Sequence, residues 1–289
     1  MDALFSRGAI GGTGLIGGSF AMAARAALDG ARIVGWDKPA VLERAKARGA
    51  VDEAHTDLRD ALAGADLIYV ALPVGLAIER LAEIARLAAP GALITDASST
   101  KRAICEAAAK FVPDGVGFLG GHPMAGSESS GIEAADAGLF RGAKYALIGA
   151  EPEGASGDRR LTRFAQLVEA IGARPMWMDA ATHDRAAAFV SHLPQVVAVA
   201  LAAVTREATD QTGLPLTLAG RGLRDALRLA GSPYSVWRDI VLTNSDNLDA
   251  ALERLGQAIE HLRANLRQRE LEEEFSAANE VYKILRGLQ

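Results

Sequence analysis

A glycine-rich segment near the start of the chain constrains the fold more than any other feature. It follows a short β-like run, precedes an alanine-rich stretch typical of a helix, and reads Gly12-Thr-Gly14-Leu15-Ile16-Gly17. In a strand–turn–helix unit, the first glycine permits the tight turn, the second lets a phosphate approach the backbone, and the third lets the helix pack against the strand. Because a helix N-terminus offers free N–H groups and a partial positive charge, this segment predicts binding of a dinucleotide.

An acidic residue ends the next apolar run. Asp37 follows Gly17 by 20 residues, which is the spacing at which a carboxylate accepts a hydrogen bond from a ribose 2′-OH. The same negative charge repels a 2′-phosphate, so the sequence favours NAD over NADP as the cofactor. The neighbouring Lys38 weakens that preference without reversing it.

Composition narrows the class of protein. A chain of 289 residues is long enough for about two domains, and its net charge of −5 provides no basic surface for nucleic acid. Cys105 is the one cysteine, which excludes a disulfide within the chain. No charged segment precedes an apolar run at the N-terminus, and the longest apolar stretch, 193–204, is too short to span a bilayer. We therefore expect a cytoplasmic protein that binds neither nucleic acid nor a membrane.

Two hydrophobic patterns divide the chain near Asp179. Before it, short β-like runs alternate with helical ones, which predicts an α/β fold with a Rossmann-type doubly wound parallel sheet. After it the β signal stops, so we expect a dinucleotide-binding domain over 1–179 and an all-helical domain over 180–289 that covers the site and forms a homodimer. The expected strands are 33–36, 66–72, 92–95, 116–119, 144–148 and 175–178, and the expected later helices are about 184–209, 236–268 and 270–286.

Polar and turn residues follow several of these strands. In a doubly wound sheet the ligand lies beyond the carboxyl ends of the strands, so Pro73 and the segment Asp96–Lys101 should line the cofactor crevice. Ser98 and Ser99 belong to that segment. An alternative remains open, in which the hydroxyl groups of residues 98–100 only cap the helix that begins near Lys101.

One histidine stands on a tight loop after a strand. His122 lies between the pair Gly120-Gly121 and a proline, and an unperturbed pKa of about 6.5 suits imidazole to proton transfer near neutral pH. A lone histidine is usually structural, but this position favours catalysis. His55, His183 and His261 lie in polar contexts, where we expect them to be solvated. No Cys/His cluster has the spacing of metal ligands, so we expect no metal.

Two arginines in the helical half are candidates for anion binding. Arg224 and Arg228 are four residues apart and would share one face of a helix. Guanidinium groups placed in this way bind a carboxylate in bidentate fashion. Alternatively, the pairs Arg224–Asp225 and Arg238–Asp239 are surface charges or ion pairs between domains.

Five motifs follow one another along the chain: Gly14-Leu-Ile-Gly-Gly-Ser19, Asp96-Ala-Ser-Ser99-Thr-Lys101, Gly121-His122-Pro-Met-Ala-Gly126-Ser127, Ser191-His192-Leu-Pro194 and Arg224-Asp225-Ala-Leu-Arg228-Leu-Ala230. Together, from residue 10 to about 265, they resemble the prephenate/arogenate dehydrogenases of tyrosine biosynthesis. The resemblance implies NAD-dependent oxidative decarboxylation of a cyclohexadienol. In that reaction hydride passes from the ring carbon bearing the hydroxyl group to the nicotinamide, and the ring carboxylate leaves as carbon dioxide.

The resemblance also implies roles for individual residues. His122 would accept a hydrogen bond from the 4-hydroxyl group of the substrate and act as the general base, with the help of Ser99. Arg228 would hold a substrate carboxylate. The other substrate contacts implied are Ser127, Ser191, His192, Gln195, Arg224 and Trp237.

Three positions depart from the family pattern. The run 5–11 is polar and rich in glycine where an apolar first strand is usual, and Ser98 replaces a glycine. Gln195 stands where members that use prephenate commonly carry a histidine, near the side-chain end of the substrate. Prephenate has a keto group at that end and arogenate has an ammonium group. Because a glutamine carbonyl accepts a hydrogen bond from an ammonium group, the resemblance favours arogenate.

Two other functions fit a dinucleotide-binding chain with a helical second half. A β-hydroxyacid dehydrogenase generally carries a catalytic lysine on a helix of its second domain, but residues 180–280 contain no lysine. A non-enzymatic NAD sensor would not require His122 and Arg228. Both alternatives are weaker than the dehydrogenase of tyrosine biosynthesis.

Overall fold

A single eight-stranded sheet forms the first half of the molecule. The computed structural model describes residues 4–127, 129–152, 157–267 and 271–287. The strand order is β3-β2-β1-β4-β5-β6-β7-β8, which confirms the Rossmann-type doubly wound sheet. The strands are β1 (Arg7–Gly11), β2 (Arg32–Trp36), β3 (Glu53–His55), β4 (Leu67–Val70), β5 (Leu93–Asp96), β6 (Gly117–Pro123), β7 (Lys144–Ile148) and β8 (Arg174–Met178).

The sheet is mixed, which corrects the expectation of a parallel one. Strands β1 to β6 pair in parallel, whereas β7 runs antiparallel to β6, with Gly120 opposite Ile148. The reason lies in the connection between β6 and β7, whose described residues contain one short element, the 3-10 turn Ile132–Ala134. A parallel pairing would need a crossover that carries the chain back to the other end of the sheet.

Two strands, β3 and β1, are not among the strands expected. β3 has only three residues, with one apolar side chain, so no hydrophobic pattern announces it. β1 forms despite its polar sequence, because Ala9 and Ile10 are buried between β2 and β4 while Arg7 pairs with Glu53. The other strands lie close to the expected positions.

Helices cover both faces of this sheet. The core on one face is aromatic, with the Phe20 ring stacked on Tyr69 at 3.7 Å between centroids. Aliphatic side chains such as Ile68, Leu81 and Ile104 form the core on the other face. The helices are α1 (Leu15–Ala27), α2 (Pro39–Ala47), α3 (Leu58–Leu62), α4 (Val74–Leu87), α5 (Arg102–Phe111) and α6 (Arg159–Ala170).

The second half is helical throughout its described residues. The expected helix 236–268 is divided at Asn244. The side chain of this residue donates hydrogen bonds to the Asp184 carbonyl oxygen and to His192. A π-helical segment, Ala188–His192, joins the first two helices, and a 3-10 turn, Arg228–Gly231, follows the fourth. The α-helices are α7 (Ala180–Ala187), α8 (Leu193–Thr212), α9 (Leu214–Thr217), α10 (Arg221–Leu227), α11 (Tyr234–Thr243), α12 (Ser245–Ala264) and α13 (Leu271–Gly287).

The continuous helical run Ala180–Thr212 is longer than the apolar stretch 193–204 identified from the sequence. Its length and composition alone would allow it to cross a membrane. Of its most apolar 18-residue segment, 28% is buried inside the protein. Its first part carries buried polar residues, among them His183 and Asp184, which are hydrogen-bonded within the protein. Its later part exposes apolar side chains such as Val199 and Val204.

Candidate active site

The glycine segment forms the turn that the sequence predicts. Gly12 has a φ of 84°, and a Cβ at this position would lie 2.5 Å from the Ala71 carbonyl oxygen. A Cβ on Gly17 would lie 1.8 Å from the Gly12 carbonyl oxygen, so only glycine allows α1 to pack this close. A Cβ on Gly14 would meet no atom within 4 Å, and α1 has no side-chain cap. The space and the free N–H groups that a pyrophosphate requires are therefore both present.

Asp37 lies beside this turn at the end of β2. Its carboxylate accepts hydrogen bonds from the Thr13 amide at 2.7 Å and the Lys38 amide at 2.7 Å. Asp37 thus braces the glycine turn as well as bringing negative charge to the crevice. Leu15 and Ile16 are half-buried in the first turn of α1, whereas Lys38 and Pro73 are exposed.

A buried ion pair links the ends of β5 and β6. The Lys101 ammonium group, which is fully buried, donates to the Asp96 carboxylate and, at 2.6 Å, to the carbonyl oxygen of Gly121. The other Asp96 oxygen accepts from the Gly121 amide at 3.1 Å. This network holds the backbone immediately before His122.

His122 heads a chain of three polar side chains. Its Nδ1 lies 2.9 Å from His183 Nε2, and His183 Nδ1 lies 2.8 Å from Asp184 Oδ1. An ionised carboxylate only accepts hydrogen bonds, so His183 carries its proton on Nδ1 and accepts on Nε2. His122 must then donate from Nδ1, which leaves its Nε2 as a free base.

Burial controls the charge of this chain. Burial lowers the pKa of His122 well below 6.5, and the neighbouring His183, Lys101 and His192 lower it further. Burial alone would raise the pKa of Asp184, but hydrogen bonds from His183 and from the Arg102 and Lys101 amides outweigh it and lower the pKa. A neutral His122 and an ionised Asp184 result at neutral pH.

One expectation about these segments is wrong, and one alternative left open is excluded. His183 is buried rather than solvated, because it lies with Asp184 on the face of α7 that includes Ala187 and Ala188 and packs inward. The hydroxyl groups of residues 98–100 do not cap α5, whose Lys101 and Arg102 amides donate to Asp184 instead, at 2.7 and 3.0 Å.

The serines of that segment have other surroundings. Ser98 is buried and Ser99 half-buried, and among the described residues the Ser98 hydroxyl group has no hydrogen-bond partner. Thr100 lies within hydrogen-bond distance of Thr243, with 2.7 Å between the two hydroxyl oxygens. The loop after β5 therefore contacts the helical half.

The helical half brings together three of the predicted substrate contacts. His192 is buried and packs edge-on against the Trp237 ring, with 5.9 Å between centroids. Its Nδ1 accepts from the Asn244 amide at 3.1 Å, so its proton is on Nε2, which has no partner within the described part of the chain. Burial lowers the pKa of His192 to about 4. Gln195 is also buried, and its Nε2 donates to the Leu229 carbonyl oxygen at 2.9 Å.

The remaining candidates lie at more open positions. Arg224 and Arg228 are exposed, and helix α10 ends between them, so the expected single helical face is interrupted. Ser127 is exposed and Ser191 is half-buried in the π-helical segment. Arg238 and Asp239 form an ion pair with each other at 2.8 Å, within one helix rather than between domains. Among the described residues, no group of three or more His, Cys, Asp or Glu side chains is placed to hold a metal ion.

Sequence reasoning missed His183, Asp184 and Asn244. The signal for the first two was available: each precedes a buried alanine by three or four residues, which places both on the apolar face of their helix. Asn244 gave no such signal, since its role depends on where α11 ends in space.

Two family models match consecutive parts of the chain. "Prephenate dehydrogenase, nucleotide-binding domain" matches residues 20–176, and "Prephenate dehydrogenase, dimerization domain" matches residues 179–279. The chain belongs to the prephenate dehydrogenase family. It is therefore an enzyme, a dehydrogenase of tyrosine biosynthesis, and the alternatives of a β-hydroxyacid dehydrogenase and a non-enzymatic sensor are set aside.

Individual relatives agree with this membership. The prephenate dehydrogenase of Lactococcus lactis is 35% identical over 253 residues, which are 87% of this chain and 68% of that protein. The crystal structure of the A. aeolicus prephenate dehydrogenase in complex with hydroxyphenyl propionate and NAD+ has a TM-score of 0.84 at 28% identity and covers 98% of each chain. Synechocystis arogenate dehydrogenase has a TM-score of 0.79 at 30% identity, over 96% of this chain and 99% of that one.

Proposed function

We propose that this member of the prephenate dehydrogenase family uses NAD and converts arogenate to tyrosine in preference to converting prephenate to 4-hydroxyphenylpyruvate. Residues 1–179 would bind the cofactor, and 180–289 would supply most substrate contacts and the dimer interface. The observation that carries the substrate preference is the orientation of the Gln195 side chain.

The amide of Gln195 has one orientation that satisfies its neighbour. The Leu229 carbonyl can only accept a hydrogen bond, so the amide nitrogen of Gln195 must face it, at 2.9 Å. Its Oε1 is buried and has no partner among the described residues. A buried acceptor of this kind favours a ligand that donates. The ammonium group of arogenate donates, whereas the keto group of prephenate only accepts.

His122 supplies the base for the substrate hydroxyl group. Its Nε2 is unprotonated at neutral pH, because the pKa of His122 is lowered well below 6.5 by burial and neighbouring charge. When Nε2 takes the hydroxyl proton, the resulting positive charge is stabilised through His183 by the Asp184 carboxylate. Ser99 would assist the base. When NAD is bound, it would accept the hydride from the ring carbon that bears this hydroxyl group.

The substrate carboxylates require donors. We assign Arg228 to one of them. It directly precedes Leu229, whose carbonyl oxygen accepts the hydrogen bond from Gln195, so Arg228 lies close to that side chain. The buried Nε2–H of His192, which has no partner among the described residues, is a further donor. Ser127, Ser191, Arg224 and Trp237 complete the proposed substrate contacts.

The choice of NAD over NADP is supported by Asp37. Its carboxylate is fixed at the end of β2 by the Thr13 and Lys38 amides and by the Thr13 hydroxyl group. Oδ1 accepts one of these hydrogen bonds and retains a lone pair for a ribose hydroxyl group. Gly12, Gly14 and Gly17 supply the turn for the pyrophosphate, with Leu15, Ile16, Pro73 and Ser98 along the crevice.

We also propose a soluble cytoplasmic homodimer. The matching family model is described as a dimerization domain, and α8, α9 and α13 expose apolar side chains in the single chain, for example Val204, Leu216 and Phe275. Burial of these faces between two subunits would explain why the helical run Ala180–Thr212 is apolar, with no need for it to cross a membrane. Sedimentation in the absence of detergent should give a dimer, and a monodisperse, fully active monomer would contradict the proposal.

NADH formation with NAD and either arogenate or prephenate tests the substrate preference. Wild-type protein should show the higher kcat/KM with arogenate. Gln195→His should reduce the ratio of the two kcat/KM values by about tenfold or more, because a hydrogen bond to a charged group contributes about 1.5–3 kcal/mol. Gln211→His, on an exposed position of the same helix, is the matched control and should leave the ratio unchanged. A wild-type preference for prephenate that Gln195→His does not alter would overturn the assignment.

A further inference from the structure

Two aspartates of the helical half place their carboxylates at the N-termini of helices of the nucleotide-binding half. Helices α4 and α5 begin after strands β4 and β5, and neither has a side-chain cap from its own N-cap residue, Pro73 or Lys101. The amides at the start of α5 donate to Asp184. The carboxylate of Asp239 lies against Gly75, in the first turn of α4.

The contact between Asp239 and α4 is close. A Cβ built on Gly75 would lie 2.5 Å from Asp239 Oδ2 and 2.9 Å from its Cγ, so any larger residue would displace the carboxylate. Arg238 holds the other oxygen, Oδ1, at 2.8 Å. The Asp239 residue is 9% exposed, because α4 covers its carboxylate. The position of this carboxylate therefore depends on how α11 packs against the nucleotide-binding half.

Both carboxylates lie at the carboxyl ends of the strands, where the cofactor is proposed to bind. The loops that lead from β4 to α4 and from β5 to α5 contain Pro73 and Ser98, two of the proposed cofactor contacts. Helix α1 also begins at this edge of the sheet, after β1. Its N-cap residue provides no side-chain cap, and there is open space at Gly14. Because protein carboxylates already occupy the N-termini of α4 and α5, α1 remains the place for the cofactor phosphates.

We infer that Asp239 is a positioning residue for the cofactor: by capping α4 from the helical half, it fixes the loop that carries Pro73 and so raises the affinity for NAD without touching it. The inference rests on the proposed use of NAD. Asp239 is the better subject for a test than Asp184, since Asp184 also holds His183 and its replacement would affect the proposed base.

A purely structural joint between the halves would have a different signature. Loss of such a joint would lower the stability of the protein and leave the affinity of the folded enzyme for NAD unchanged. A positioning role predicts a change in the Kd and KM for NAD with kcat preserved.

Two variants and a control separate these possibilities, with the Kd for NAD measured by titration calorimetry on the full-length protein. Asp239→Ala should raise the Kd and KM for NAD by about fivefold, the effect of one lost helix cap, with kcat within about twofold of wild type. Asp239→Asn retains an acceptor oxygen and should stay within about twofold of wild type. The control Asp246→Ala removes the 2.5 Å ion pair with Arg102, which also joins the halves but caps neither α4 nor α5, and should not change the Kd.

Gly75→Ala completes a double-mutant cycle. Alone, the added methyl group should displace the carboxylate and weaken NAD binding to a similar extent as Asp239→Ala. In the Asp239→Ala background it should have no further effect, because the atoms with which it collides are absent.

The outcomes distinguish this inference from the proposed function. If wild-type protein does not bind NAD, the cofactor assignment fails and the inference fails with it. If wild-type protein binds NAD and Asp239→Ala binds it equally well, or if the effects of Gly75→Ala and Asp239→Ala add independently, the inference alone is overturned.

Discussion

The Nδ1 atom of His122 lies 2.9 Å from the Nε2 atom of His183, and the two rings meet at an angle of 67°. This contact joins a strand end of the nucleotide-binding half to the first helix of the helical half. It also fixes the tautomer of His122, since His183 already donates to Asp184. The base that we propose for the reaction is therefore oriented from the helical half.

Replacement of His183 should slow the chemical step. His183→Phe preserves the ring volume but removes both nitrogens, so His122 loses the acceptor that holds its proton on Nδ1. We expect kcat to fall by about tenfold to 100-fold, less than the 10²–10⁴-fold contribution of a general base itself. The KM for NAD should remain within about twofold of wild type.

An exposed histidine provides the control for this substitution. His261 is paired with Glu274 on the surface, and His261→Phe should leave kcat unchanged. An unchanged kcat in His183→Phe, measured by NADH formation under saturating conditions, would show that the contact between the two histidines does not orient the base.

The pH dependence of kcat/KM should have one acid limb. Protonated His122 has no lone pair, so activity is lost as the pH falls through its pKa, and this pKa is lowered well below 6.5 by burial and by the charges around it. From the sequence alone, His122 as the base predicts an essential unprotonated group that titrates near neutrality, whereas burial moves the expected inflection to lower pH. The profile should be flat through neutral pH. An inflection at or above 6.5 that disappears in His122→Asn would contradict the buried, neutral state.

Local sequence predicted the elements whose signal is local. The glycine turn, Asp37 and most strands could be found because their residues are adjacent or regularly spaced. The antiparallel β7 could not, since its direction depends on the path of the preceding loop rather than on its own residues. β3 was missed because a short edge strand with polar residues carries no hydrophobic period.

The site was predictable to a smaller extent for the same reason. His122 stands out beside glycines and a proline at a strand end. His183 and Asp239 act across the two halves, and their partners, His122 and Gly75, are distant in sequence. The residues that orient the site therefore emerge only when the helices are packed on the sheet.

Breaking the buried ion pair should destabilise the protein. Lys101→Met leaves the Asp96 carboxylate buried without its cation, and loss of one partner of a buried pair typically costs about 3–5 kcal/mol. The hydrogen bonds from the Gly121 and Ser98 amides to Asp96 remain. Urea denaturation of wild type and variant gives the difference in the free energy of unfolding.

The surface pair between Arg80 and Glu83 is a suitable comparison. Both side chains are more than 40% exposed, with 3.2 Å between the charged atoms. Removal of this pair in Arg80→Met should change the free energy of unfolding by less than about 1 kcal/mol. Equal effects of Lys101→Met and Arg80→Met would mean that the buried network before His122 is not required for stability.

Neutralising Asp37 should relax the choice of cofactor. Asp37→Asn keeps an acceptor for the Thr13 amide, so the glycine turn should survive, but it removes the negative charge that would repel a 2′-phosphate. Like charges placed together cost several kcal/mol, so the ratio of kcat/KM for NAD to that for NADP should fall by about tenfold or more. Asp57→Asn, at the N-cap of α3, is the control, because it neutralises an aspartate that is not a proposed cofactor contact. If both variants leave the ratio unchanged, Asp37 does not select the cofactor, and its function is confined to bracing the glycine turn.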